Sequence, residues 1–141
     1  MQLLLIITCL LQVSADGWTV LTPSADSRTI YVSSSVGDDA NDGLSEAAPK
    51  KTIRSAIAVT KDGRPDWILL KRGDVFTEGV LAWEKSGRSA TERMVLTAYG
   101  VGSRPVLNET AFLYWGPNAG PTHVLQNIAF LDLDFKASSH I

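Results

Sequence analysis

The chain has 141 residues, enough for one domain, and a formal net charge of −2 at pH 7. Hydrophobic residues make up 45% and charged residues 20% of it, a composition typical of globular proteins that excludes a largely disordered chain. The weakly acidic balance and the absence of a basic stripe argue against a nucleic-acid-binding protein. No apolar run after residue 15 is long enough for a membrane anchor.

The first fifteen residues, MQLLLIITCLLQVSA, carry no charged side chain. Their apolar run is shorter than the roughly 20 residues that span a bilayer, but it suits a signal peptide, although no Lys or Arg precedes it. Val13 and Ala15 are suited to cleavage before Asp16. We therefore predict that residues 1–15 are a signal peptide and that the protein is secreted or extracellular. The periplasm and the cell surface are the alternative locations. The alternative to a signal peptide is a buried N-terminal strand.

Three elements are predicted next along the chain. Residues 16–28 are polar and predict an irregular lead-in linker, and the β-rich segment Thr29–Val32 predicts a strand. In PKKTIRSAIAVTKDG, apolar residues follow the spacing of one helical face, with Pro at the entrance and Gly at the exit. This pattern predicts a helix over residues 52–61. So short a helix must pack against another element.

The rest of the chain alternates short apolar runs with turn-rich segments. WILLK, at residues 67–71, is nearly all apolar, which predicts a strand buried on both faces or at a corner of the core. Further strands are predicted at residues 80–83, 94–99, 105–107, 111–115 and 123–135, the last with a break near Asn127. Such spacing is typical of a sandwich, a barrel or a solenoid. The apolar sets Ile68/Leu70, Val95/Leu96 and Ile128/Phe130 recur, which favours a solenoid with stacked inward residues.

A series of short motifs follows one order through residues 29–135. A strand ending in Tyr-Val leads to GDDANDG, then to Pro and a Lys-Thr-Ile helix, WILLKRGDVF, KSGRSATERMVLTAYG and RPVL. This order resembles the opening of secreted right-handed parallel β-helix proteins of the pectate-lyase-like superfamily. The resemblance implies an all-β fold in which residues 29–141 form an N-terminal capping α-helix and the first coils of a right-handed parallel β-helix.

The open ends of such a solenoid expose unpaired backbone groups and a cross-section of the apolar core. We expect Ile53 and Ile57 to press onto the N-terminal end. No comparable cap follows Phe135, so the chain is expected to be truncated after two or three coils. Its uncovered last coil is expected to favour self-association.

Asp38, Asp39, Asn41 and Asp42 form the densest group of oxygen ligands in the sequence. Carboxylate and amide oxygens on a flexible loop suit calcium, but Pro49 occupies the position at which an EF-hand carries its glutamate. The same residue types also close Asx turns. The cluster is therefore a candidate calcium site, with local turns as the favoured alternative, and no other cofactor is predicted.

The resemblance leaves the catalytic residues unknown. Lyases of the superfamily use a Lys or Arg as base, and these residues usually lie in central coils. The cations near predicted turns in this chain could serve as such a base or could simply be solvated surface charges. They are Lys71, Arg72, Lys85, Arg88 and Arg93.

Some aromatic and acidic side chains suit carbohydrate chemistry. Trp83, Tyr114 and Trp115 fit either stacking on sugar rings or core packing. Asp132 and Asp134 alternate with apolar residues, which suggests a carboxylate pair for glycoside hydrolysis or a strand's solvent face.

The leading functional hypothesis is a secreted carbohydrate-active protein, of the polysaccharide lyase or glycosidase type, of which this chain is the non-catalytic opening. Its expected partner is a polysaccharide. The alternatives are a non-enzymatic β-helix adhesin or surface structural protein, and a small complete β-sandwich that binds a ligand.

Overall fold

The computed structural model describes residues 12–13, 19–108, 111–113 and 125–136. Within them lie one helix, α1 (Ile53–Val59), and short strands. The strands are β1 (Gln12–Val13), β2 (Thr19–Val20), β3 (Thr29–Val32), β4 (Trp67–Lys71), β5 (Val75–Phe76), β6 (Val80–Ala82), β7 (Met94–Tyr99), β8 (Val106–Asn108), β9 (Ala111–Leu113), β10 (Ile128–Phe130) and β11 (Asp134–Lys136).

Three parallel sheets make up most of this structure. The first sheet has the order β10-β7-β4-β3, the second sheet β11-β8-β5, and the third sheet pairs β6 with β9. From β4 onward the chain visits the first, second and third sheets in turn, then repeats the circuit. Every pairing in these sheets is parallel, so the antiparallel β-sandwich considered from the sequence is wrong. The fold is mostly β with parallel sheets.

Inward side chains of the first sheet stack in a row from strand to strand. Ile30 pairs with Ile68, Ile68 with Leu96, and Leu96 with Phe130. The first three of these are fully buried. Of the recurring apolar sets, Ile68 therefore stacks on Leu96 and not on Val95. Because side chains alternate between the two faces of a strand, a register shifted by one residue would move the whole inward set outward.

The second sheet carries a similar row of Phe76, Leu107 and Phe135. Phe76 and Leu107 are buried, whereas 51% of Phe135 is exposed. Apolar exposure thus increases at the last described strands.

Strand β4 is buried on its inward face only. Ile68 and Leu70 are buried, while Leu69 between them is partly exposed. Of the two alternatives predicted for this strand, burial on both faces is therefore wrong. The alternation of a strand places Leu69 on the outer face of the first sheet. Strand β5 was missed, because two residues are too few to show a period.

Helix α1 is shorter at both ends than predicted. Thr52 is its N-cap, with Oγ1 accepting from the Ser55 backbone N at 3.1 Å, and the extended backbone of Thr60 ends it. Ile53 and Ile57 are buried in the core cluster, as expected. The helix packs against β4 and β3, and β3 is the edge strand of the first sheet.

The two predicted N-terminal segments are described in part. Of residues 1–15, the structure describes Gln12 and Val13, which form β1 and pair antiparallel with β2. Strand β2 lies within the predicted lead-in linker, which continues through a turn in which the Ser27 N donates to the Ser24 carbonyl at 3.0 Å.

Candidate functional site

The acidic loop at residues 38–42 lies between β3 and α1. Asp38 and Asp42 each accept from the backbone N–H two residues later at 2.9 Å, which is the geometry of an Asx turn. The Asn41 side-chain amide donates to the Pro49 carbonyl at 2.8 Å. The side chains of Asp38, Asn41 and Asp42 thus shape the loop.

Asp39 ties this loop to the start of α1. Its Oδ1 accepts from the backbone N of Lys51 and of Thr52, both at 2.9 Å, and from Ser55 Oγ at 2.6 Å. Burial opposes ionisation of Asp39, but the hydrogen bonds from Ser55 and Thr52 outweigh it and hold the pKa of its carboxyl below the usual value. Among the described residues, no group of three or more His, Cys, Asp or Glu side chains is arranged to hold a metal ion.

A second carboxylate, Asp74, joins the turn after β4 to the segment after β3. Its two oxygens accept from Ser33 Oγ and Ser35 Oγ, both at 2.7 Å. Burial raises the pKa of Asp74, but these serine hydrogen bonds and the charge of Lys71 more than offset it, so the pKa is lowered. The Gly-Asp turn in the sequence therefore connects two segments of the chain.

Both ends of α1 are held by charged side chains from the segments that flank β6. The Glu78 carboxylate accepts from the backbone N of Ile53 at 2.6 Å and of Arg54 at 3.0 Å. At the other end, Lys85 Nζ donates to the carbonyls of Ile57 at 2.7 Å and Thr60 at 2.6 Å. A carboxylate at the N-terminus and an ammonium at the C-terminus both match the helix dipole.

A groove of about 270 Å³ runs between α1 and β6. Apolar side chains form part of its wall and charged side chains the remainder; the lining residues are Arg54, Ile57, Ala58, Ala82, Glu84 and Lys85.

Asp132 is bound by two arginines from earlier turns. Arg72, which follows β4, and Arg104, which precedes β8, both donate to its carboxylate, Arg104 Nε at 2.9 Å. Asp132 has a positive φ of 57° and lies between β10 and β11, whereas Asp134 belongs to β11. The two carboxylates therefore do not occupy alternate positions of one strand, and the interpretation as such a pair is wrong. The left-handed residue breaks the strand between them.

Two further candidate cations, Arg88 and Arg93, are held by ion pairs and hydrogen bonds. Arg88 pairs with Asp26 and with Glu92 Oε1, the latter at 2.9 Å, and Arg93 Nε donates to the Ala90 carbonyl at 2.9 Å. These contacts favour structural roles for both arginines.

Two tyrosines that sequence reasoning missed meet on the outer face of the first sheet. The rings of Tyr31 on β3 and Tyr99 on β7 lie 5.0 Å apart, edge to face at 85°. In the strand register, Tyr31 lies beside Leu69, and Tyr99 beside Lys71. The rings therefore reach diagonally across β4. In β3, apolar and polar residues alternate, and the neighbours of Tyr31 on either side are buried. This period of two is the sequence signal that would have placed Tyr31 on the outer face.

Of the aromatic residues predicted either to stack on sugar rings or to pack in the core, the structure describes Trp83. Trp83 is fully buried, with its indole N donating to the Lys85 carbonyl at 2.7 Å and its ring edge to face with Phe130. It is a core residue. Tyr114 and Trp115 lie outside the described residues.

Several polar and charged side chains lie at the carboxyl edge of the first sheet. Strand β4 ends at Lys71 and β7 at Tyr99, and the turns that follow carry Arg72, Asp74 and Arg104. Since parallel strands end at the same edge, these side chains lie close together. This edge, with the tyrosine pair beside it, is the candidate functional site.

No protein-family model matches the chain, but part of it is similar to known proteins. Over 90 residues it is 34% identical to the lacto-N-biosidase of Bifidobacterium longum subsp. longum, a match that covers 63% of this chain and 6% of the relative. This part of the chain is thus similar to a lacto-N-biosidase. The crystal structure of the GH136 lacto-N-biosidase from Eubacterium ramulus matches with 26% sequence identity. Its selenomethionine derivative gives a TM-score of 0.60 and covers 80% of this chain. The native protein gives 0.56 and 79%.

The proteins that this chain resembles in sequence and in structure are all named lacto-N-biosidases. The chain spans 21% of the solved relative, so the match concerns a limited part of it. Across the described part of this chain, no helix has the length and apolar character needed to cross a membrane.

Proposed function

We propose that the chain forms the opening part of a secreted glycosidase built on a right-handed parallel β-helix, with α1 as its N-terminal cap. The observation that carries this proposal is the structural match over 80% of the chain to the Eubacterium ramulus lacto-N-biosidase. The repeated circuit through three parallel sheets supports a β-helix. Crossovers between parallel strands are nearly always right-handed, which supports the proposed hand.

The proposed substrate is an oligosaccharide that carries the lacto-N-biose unit in the relatives' name. Glycosidases generally use two carboxylates, one as acid and the other as base or nucleophile. The carboxylates of Asp39, Asp74 and Glu78 accept hydrogen bonds from backbone and hydroxyl groups of the cap and turns. Asp132 is paired with arginines. We therefore assign these four carboxylates to the scaffold and propose that other residues of the whole enzyme form the catalytic pair.

Secretion belongs to the same proposal. Cleavage after Ala15 would give a mature protein that begins at Asp16, and N-terminal sequencing of exported protein would test it. Exported protein that still begins at Met1 would refute cleavage.

A hydrolysis assay tests the enzymatic function. The protein as its host produces it is incubated with an oligosaccharide ending in lacto-N-biose, and the products are separated by chromatography. We expect release of the disaccharide by the host protein and no release by the 141-residue chain. Unsaturated products absorbing in the ultraviolet would indicate a lyase instead. Absence of turnover by the host protein would refute the glycosidase assignment.

A further inference from the structure

We propose that Tyr31 and Tyr99 form a binding surface for a single pyranose ring of a glycan, on the outer face of the first sheet. This inference rests on the proposed function, because it assigns a subsite to the same carbohydrate ligand.

The geometry of the pair supports one shared surface. The two tyrosines come from strands separated by β4, yet their ring centroids are 5.0 Å apart. Both side chains are partly exposed, as is Leu69 between them. A pyranose has an apolar face of C–H groups, and aromatic rings supply a large, rigid apolar surface with a polar hydroxyl at one end. In the edge-to-face pair one ring presents its face beside the edge of the other, and a pyranose can stack on the part of that face that stays exposed.

Polar groups surround this surface, as sugar hydroxyls require. Lys71 lies beside Tyr99 in the register and close enough to Asp74 to lower that residue's pKa. Burial raises the pKa of Tyr99 to about 12, and the nearby carboxylates of Glu46 and Asp74 add to the effect. The Tyr99 hydroxyl therefore stays protonated and can donate a hydrogen bond throughout the physiological range.

The same features favour a sugar over a protein partner. Stable protein interfaces bury roughly 800 Å² on each partner, with a contiguous apolar centre. Here the apolar side chains on this face are the two tyrosine rings, Leu69 and Trp67, and Lys71 and Thr97 lie beside Leu69 on β4 and β7. A small aromatic area within polar surroundings matches a small ligand with an apolar face and many hydroxyls.

Titration of the 141-residue chain with lacto-N-biose, followed by calorimetry and by amide chemical shifts, tests the inference. We expect weak binding that becomes about tenfold weaker in Tyr31→Ala and in Tyr99→Ala, because stacking is lost. Tyr31→Phe keeps the ring and should bind within about threefold of the unchanged chain. Val101→Ala, at a side chain that is 97% exposed in the turn after β7, is the matched control and should not change binding.

Chemical shifts of the unchanged chain provide a readout that does not depend on any variant folding. Binding should move the amide signals of Tyr31, Leu69 and Tyr99. Binding of equal strength in both alanine variants, shifts confined to other residues, or no binding at millimolar sugar would each overturn the inference. None of these results alters the hydrolysis expected of the host protein, so the subsite and the glycosidase assignment fail separately.

Discussion

Replacing Lys85 by Met tests whether helix α1 is held by its C-terminal contacts. Lys85 Nζ donates to the carbonyls of Ile57 at 2.7 Å, Ala58 at 3.3 Å and Thr60 at 2.6 Å. Methionine has a similar length and fills the same space but donates no hydrogen bond. The variant therefore leaves the packing in place and removes the polar contacts and the charge.

The expected loss follows from two opposing contributions. A hydrogen bond to a charged group contributes about 1.5–3 kcal/mol, and a cation at a helix C-terminus adds about 0.3–1 kcal/mol. Against this, burial lowers the pKa of Lys85, with the carboxylates of Asp66 and Asp62 opposing the shift, so part of the gain is cancelled by desolvation of the ammonium. We expect Lys85→Met to lower the free energy of unfolding by about 2 kcal/mol, or the thermal midpoint by roughly 6 °C.

Urea unfolding monitored by circular dichroism gives the measurement. Lys61→Met is the matched control, because Lys61 is exposed and lies near the same helix end. It removes the same charge without removing these hydrogen bonds, and should change stability by less than about 0.5 kcal/mol. Equal losses in the two variants would mean that general charge, and not the hydrogen bonds of Lys85, stabilises the helix.

Four other outcomes are expected. Gly87→Ala should lower the free energy of unfolding by more than about 3 kcal/mol, because a methyl group there would overlap the backbone of Met94 and Asn127. Gly63→Ala, which has open space but a positive φ of 69°, should lower it by about 1 kcal/mol. Thermal unfolding of both variants measures the difference. The pKa values of Asp39 and Asp74 in the folded chain lie below 3.8, so these carboxyl groups take up protons at a higher pH in the unfolded chain than in the folded chain. The free energy of unfolding should therefore fall as the pH drops through 3.8 and below. Urea unfolding at several pH values should show a smaller fall in the variant that carries Asn at both positions. Calcium should bind the loop at residues 38–42 weakly or not at all, and micromolar binding by calorimetry would contradict this. Finally, the exposed inward residue of β11 predicts self-association of the 141-residue chain, which light scattering across a concentration series would detect.

The motifs that carried the family resemblance have structural roles. The aspartate of the Gly-Asp turn accepts hydrogen bonds from Ser33 and Ser35, and the glycine of the Lys-Ser-Gly loop, Gly87, lies against neighbouring backbone. The lysine of that loop holds the end of α1. Because each motif closes a turn or holds a helix, the motifs indicate the fold and do not indicate which reaction the protein catalyses.

Local patterns were sufficient to predict the elements themselves. Strands β3, β4 and β7 occupy the predicted residues, because runs of apolar residues bounded by turn residues mark a strand without any tertiary information. The buried face of α1 was also predicted correctly from the spacing of Ile53, Ala56 and Ile57. Composition and sequence order alone thus determined where the helix and most strands lie.

Tertiary structure decided how the parallel strands align and which side chains meet. Ile68 lies opposite Leu96 because turns of unequal length set the register between strands, and a local pattern does not reveal that length. For the same reason the sequence did not pair Tyr31 with Tyr99, or Asp132 with arginines from two earlier turns. These contacts join residues far apart in the chain, and stacking of parallel strands brings them together.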